Sequence, residues 1–218
     1  MKNLKKKQTF VKCVLLFSLI ATSAATPMLA SAASSAQLKV TGSIVPASCS
    51  ITMPGGATVD YGKISASTLN ATADTKIEEK IRAKVSITCS APTLFAIKVT
   101  DERPGTAITR NGDTYPLHGL GTLHNVKVGG YGLDLLNSQA DGKSVSIMRK
   151  PAEAADWETG PKTYAIPGSL LAFGGPAVAS TTANADIRVR TYVAPSRGLP
   201  LAEEIPLDGL ASFELVYL

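Results

Sequence analysis

SIVPASCSIT (43–52), GGATVDYGKI (55–64) and AKVSITCS (83–90) mark out one stretch, Ile44 to Cys89, on which the rest of the chain hangs. Cys49 and Cys89 lie 40 positions apart and are the two cysteines outside the extreme N-terminus. Leu38, Val40 and Ile44 alternate with polar residues ahead of the first. Val85, Ile87 and Cys89 alternate in the same way at the second. Period-two alternation is the signature of a half-buried β-strand. Two such strands joined by one disulfide predict a sheet protein with its early strands stapled together. In the chain-entropy model a loop of that length contributes roughly 4 kcal/mol.

The first residues have a different character. Lys2, Lys5, Lys6, Lys7 and Lys12 form a basic segment, Cys13 to Ala25 is mostly apolar, and Ala30-Ser31-Ala32 is an A-x-A cleavage signal. This is the pattern of a secretory signal peptide spanning 1–32. The apolar run is interrupted by Ser18, Thr22, Ser23 and Pro27, and falls short of the ~20 residues a membrane span needs. Val11-Lys12 before Cys13 is not a lipobox, so no lipid anchor is expected. The 22 basic residues exceed the 17 acidic ones by five, and all five of those lysines lie in 1–32. Residues 33–218 are therefore formally neutral, which removes the electrostatic case for nucleic acid or an anionic membrane as partner. An exported chain with two remaining cysteines is one in which a disulfide persists. The length of 33–218 suits a single domain with a sizeable core.

Further strands follow from the same alternation. Gln37–Val45 is expected to form the first, ended by Pro46, and Thr58–Tyr61 a short one between Gly55-Gly56 and Gly62. Asp74–Lys84 reads equally as one or two helical turns or as a charged entry to the next strand. Phe95–Thr100 alternates, as do Tyr131, Leu133 and Leu135, then Val145 and Ile147. In Ala185–Val193, Ile187, Val189 and Val193 are expected to face inward, with Asp186, Arg188 and Arg190 outward. Phe213, Leu215 and Tyr217 form one face of the terminal segment. Short strands, frequent turns and little helical periodicity predict one all-β domain, an antiparallel β-sandwich.

No residue set reads as catalytic. His118 and His124 sit in a Gly-rich loop without the spacing or companions of a zinc or copper site, so no metal is expected. Gly119-Leu120-Gly121 and Gly129-Gly130 do not follow a strand-to-helix pattern, so no phosphate cradle and no cofactor are expected. There is no G-x-S-x-G elbow, and oxidation leaves no thiol nucleophile. Asp101, Glu102 and Arg103 read as a charged turn. Trp157 and Tyr115 are the aromatic pair on which a sugar ring could stack, although a lone Trp is more often a core or lid residue.

Five features in order carry a resemblance. They are LKVTGSIVPASC (38–49), VDYGKI (59–64), VSITC (85–89), ADIRVRTYV (185–193) and GLASFELVYL (209–218), the last with Tyr217 penultimate. In these the chain resembles a chaperone–usher fimbrial (pilus) subunit, and is most similar to the fimbrial-like proteins filed as a domain of unknown function. The resemblance implies an immunoglobulin-like sandwich lacking its last strand, with a groove between first and final strands. A periplasmic chaperone fills that groove by donating a strand, an outer-membrane usher follows, and a neighbouring pilus subunit then replaces the chaperone; this is β-strand addition. Phe213, Leu215 and Tyr217 would border the groove, and Leu218 would supply a carboxylate held by the chaperone. Leu38, Val40, Gly42 and Ile44 would be the first strand or a donor segment. The implied destination is the surface of a Gram-negative bacterium, reached through the periplasm, with a role in adhesion.

Two features depart from that pattern. Cleavage after Ala32 leaves Ala33 to Ala36 ahead of the first strand, against the ~10 residues of a long donor strand. That points to a minor, terminal or non-polymerising member. The middle, Asp101 to Phe173, is longer than a shaft subunit needs, with room for a loop that binds a host or surface ligand. The competing reading is a self-contained secreted or fibre-tip adhesin, a lectin-like module that folds without a donated strand.

Overall fold

The computed structural model describes residues 36–44, 47–77, 80–110, 116–158 and 163–218, with the backbone alone described at 80–82. The segment read as a signal peptide lies outside these residues. The chain divides after Ser43, and Ile44–Leu218 is one compact unit.

Its strands are β1 (Cys49–Thr52), β2 (Thr75–Lys76), β3 (Lys80–Thr93), β4 (Phe95–Asp101), β5 (His118–Gly119), β6 (Thr122–Leu123) and β7 (Val126–Lys127). There follow β8 (Gly129–Ala140), β9 (Lys143–Ser144), β10 (Ile147–Lys150), β11 (Tyr164–Ala165), β12 (Leu170–Phe173), β13 (Ser180–Val193) and β14 (Ala211–Tyr217). One sheet runs β1-β3-β13-β8-β11, with β2, β5 and β9 joined to it; the other runs β10-β12-β4-β14. β6 and β7 make a separate hairpin. All strand pairs are antiparallel. The expected all-β sandwich with a Cys49–Cys89 disulfide is the fold observed, and it is open on one side.

The core explains the centre of the first sheet. Along β3 and β13, Ala183 sits opposite Ile87, Ala185 opposite Val85, and Ile187 opposite Ala83. Large residues thus stand opposite small ones across the pair, so the two strands share one layer of side chains. Phe95, Ile97 and Val99 of β4 and Leu171 and Phe173 of β12 close the core from the other sheet. The disulfide joins directly opposed residues, Cys49↔Cys89, with Cα atoms 4.0 Å apart. Short Cα separations belong to the positions of an antiparallel pair that do not exchange backbone hydrogen bonds.

Two expected strands do not form. The described part of Gln37–Val45 is irregular, and Leu38, Val40 and Ile44 are 90%, 86% and 102% exposed. Alternation reports that a segment can serve as a strand; it does not supply a neighbouring edge, and among the described residues the first in a ladder is Cys49. Thr58–Tyr61 is likewise outside any ladder. Val59 nevertheless packs on the core, and the Tyr61 hydroxyl accepts a hydrogen bond from Thr191 Oγ1 at 3.0 Å. Asp74–Lys84 resolves as strand entry through β2 and β3.

Ile187, Val189 and Val193 are buried as expected. Arg188 and Arg190 do leave the core side, but both converge on fully buried Asp134 of β8, at 3.0 and 2.8 Å. Arg190 also lies 4.8 Å over the Tyr164 ring. The outer face of this sheet is therefore held by a shared carboxylate rather than simply solvated.

Candidate strand-acceptor groove

β14 is bonded on one side only. It pairs with β4 along its whole length, from Ala211↔Asp101 to Tyr217↔Phe95. Among the described residues no strand lies along its other edge. The consequence appears in burial across that pair. Val99 and Ile97 are 0% exposed, whereas Phe213 and Leu215, opposite them on the same face, are half-buried, and Tyr217 is 52% exposed.

The ladder fixes which backbone groups are left over. Glu102 N–H donates to Leu210 O at 2.9 Å and Leu218 N–H to Leu94 O at 3.1 Å, one at each end of the pair. Hydrogen-bonded pairs alternate along an antiparallel ladder. Ser212, Glu214 and Val216 therefore bond to β4, and the N–H and C=O of Ala211, Phe213, Leu215 and Tyr217 point to the open edge. The β4–β12 side agrees, since Val99 N–H donates to Ser169 O at 3.0 Å. Apolar side chains and backbone groups outside the ladder thus belong to the same four residues.

At one end the opening is clasped. Cys49 does not bond across to Cys89, so its N–H points away from β3; it donates to the Tyr217 hydroxyl at 2.9 Å. Beyond Phe213 the groove deepens into a cavity of about 210 Å³, lined by Met53, Val59, Tyr131, Leu207 and Phe213 among others. A second cavity of about 440 Å³ adjoins it, sharing Val59, Tyr61 and Leu207. The loop before β14 is held by a bidentate contact, Arg103 Nε and Nη2 to Asp208 at 2.7 and 2.8 Å. That guanidinium holds the Asp208 carboxyl below its ordinary pKa.

The expected groove residues Phe213, Leu215 and Tyr217 thus lie together on one strand, with exposed Leu218 following. Leu38, Val40, Gly42 and Ile44 are outside every strand. Met53, Val59, Tyr131 and Leu207 were not legible as groove wall; the one hint was the alternation of Val59 with Tyr61. The charged turn is confirmed in detail. Asp101 accepts from Arg103 N–H and Gly119 N–H, both at 2.9 Å, and Glu102 accepts from Ser212 Oγ at 2.6 Å.

His118 is fully buried, stacked on Tyr131 with ring centroids 5.2 Å apart. Its Nε2–H donates to Ala165 O at 2.9 Å, and Nδ1 has no partner among the described residues. Burial holds its pKa below the ordinary value, against the opposing pull of the Ala165 carbonyl and the Asp101 charge. His124 is exposed, 2.6 Å from Glu203. Among the described residues no three His, Cys, Asp or Glu side chains group as metal ligands. Trp157 is half-buried, and Tyr115 lies outside the described residues.

The unpaired edge of β14 and the two cavities thus adjoin one another. The comparisons with known proteins fall elsewhere in the fold. Residues 38–139 match the family described as protein of unknown function (DUF1120). Over 94 residues the chain is 34% identical to Protein GltF of Escherichia coli (strain K12), across 42% of this chain and 37% of that protein. The chain thus spans little more than a third of that relative's length. The family match includes both cysteines and β1 to β7, and stops short of β14.

Proposed function

We propose that the protein is a structural or accessory subunit of a surface fimbria, completed by a donated strand rather than by its own chain. A periplasmic chaperone supplies that strand first, and after passage through an outer-membrane usher a neighbouring subunit supplies it in the fibre. The chain is exported through the periplasm to the cell surface and contributes to adhesion without catalysis. One observation carries this reading: Phe213 and Leu215 are half-buried on an unpaired edge, directly opposite fully buried Val99 and Ile97. A strand added there satisfies four residues' backbone groups and finishes burying the side chains, the mode in which main-chain bonds give affinity and pockets give specificity. Completing the burial of one such side chain contributes on the order of 1 kcal/mol.

The test is to export the full chain to an oxidising periplasm with and without a chaperone–usher chaperone. Recovery as a chaperone complex, with the amides of Phe213, Leu215 and Tyr217 slow to exchange there and fast in the free protein, is the expected result. A stable free monomer whose edge amides are already protected would sink the proposal.

A further inference from the structure

The two cavities that continue from the β14 edge differ in charge. Along the about 210 Å³ cavity the lining carries no ionised side chain. The rim of the about 440 Å³ cavity carries Asp60, Glu203 and Glu204 against Lys63, over an apolar floor that includes Val193 and Leu199. The groups that face these acids are loosely held. Lys63 Nζ is 3.9 Å from Glu204, with side chains 92% and 83% exposed. His124 meets Glu203 at 2.6 Å from the turn between β6 and β7, again with both side chains more than half exposed. Asp60 is engaged with the backbone, accepting from Gly62 N–H at 2.7 Å.

We infer that the segment completing this groove runs past the start of β14 and carries a basic residue where it meets Glu203 and Glu204. This rests on the strand-acceptor reading and adds the partner's chemistry. An apolar strand that ended at Ala211 would leave the larger cavity empty and its apolar floor wet. A segment that continues into it passes a rim with three acids and one lysine. A lysine or arginine there gains two carboxylates and competes with His124 and Lys63, whereas an acidic residue meets like charge. Exposed pairs of this kind act mainly on partner choice and association rate.

Four synthetic peptides test it, each a strand of alternating valine and threonine bearing two lysines or two glutamates at its N- or C-terminal end. Binding to the full-length protein is followed through the amide resonances of Phe213 and Leu215. At one end only, the lysine-tailed peptide is expected to bind about three- to tenfold tighter than its glutamate twin at low ionic strength. That preference is expected to collapse near 1 M salt, where the screening length is about 3 Å. The Glu203→Gln/Glu204→Gln double variant is expected to erase it and Lys63→Glu to enlarge it, all three substituted positions being on the exposed rim. If all four peptides bind alike, the inference falls and strand acceptance stands. If none perturbs Phe213 or Leu215, both fall.

Discussion

Buried in a sandwich with few ionisable groups inside, His118 sets a pH limit on folding. Its Nε2–H is committed to the Ala165 carbonyl, so a second proton must go to Nδ1, which has no acceptor among the described residues. The folded ring therefore binds a proton less readily than the unfolded one, whose pKa is near 6.5. For a group whose folded pKa is depressed, stability is fully present above the unfolded pKa and lost as pH falls below it, because the unfolded chain takes up the proton first. Unfolding free energy measured by urea titration is thus expected to be flat just above pH 7 and to fall on acidification below about 6.5. The slope approaches at most about 1.4 kcal/mol per pH unit for one proton. His118→Gln, which keeps a donor for Ala165, should remove that slope while the later acid loss remains. That later loss has the same sign: Asp208 is depressed by its bond to Arg103, so its contribution vanishes only as pH falls through the carboxylate range. A wild-type profile with no slope between pH 5 and 6.5 (roughly the window set by an unshifted histidine) would contradict this account of His118.

At the level of the element, β14 presents two kinds of residue in strict alternation, and proline distinguishes them. Proline removes one backbone N–H, and within a sheet it is tolerated only where that N–H faces away from the ladder. Ala211 faces the open edge and Ser212 faces β4. Ala211→Pro is expected to leave stability near that of the wild type, while Ser212→Pro costs about 1–3 kcal/mol through a lost and unsatisfied ladder bond. Denaturant midpoints of the two variants settle the register, and the opposite order would mean that β14 is bonded in the other phase. The sequence made β14 visible because Phe213, Leu215 and Tyr217 alternate as any half-buried strand does. It made β3, β4, β8 and β13 visible for the same reason. The same signal misled at 37–44 and 58–61, where alternation is present but the described residues join no ladder. β12 went unread for the converse reason: Leu170 to Phe173 is a short apolar run amid Gly, Pro and Ala, with no period to separate strand from turn. The groove's far wall was illegible because Met53 and Val59, Tyr131, and Leu207 come from three separated segments. Their meeting depends on the placement of the loops before β2 and β14, and on the Arg103–Asp208 contact.

For the molecule as a whole, an open edge with apolar residues on it is a surface that templates further pairing. Monomeric sandwiches commonly protect such an edge with inward-pointing charge, a bulge or proline. Here the groove-facing residues of β14 are Ala211, Phe213, Leu215 and Tyr217, and none is charged. Charge elsewhere gives little protection, because residues 33–218 hold as many acidic as basic side chains, and low net charge favours association. The unpartnered protein is therefore expected to self-associate as its concentration rises, read as growth in mass by light scattering across a dilution series. A lysine placed at Leu215 should suppress this, since the charge would point into the groove where an incoming strand must dry it. The same substitution should lower stability by only about 1–2 kcal/mol. Leu215 is half-buried rather than enclosed, and a lysine stem can extend along the groove and leave its ammonium in water. The pair of readouts separates the open sandwich from a closed one. In a closed sandwich Leu215 would be core, Leu215→Lys would unfold the protein, and the wild type would stay monomeric at every concentration. An edge that is open only because its occupant is absent predicts the opposite pairing: an associating wild type and a folded, monomeric variant that no longer accepts a strand.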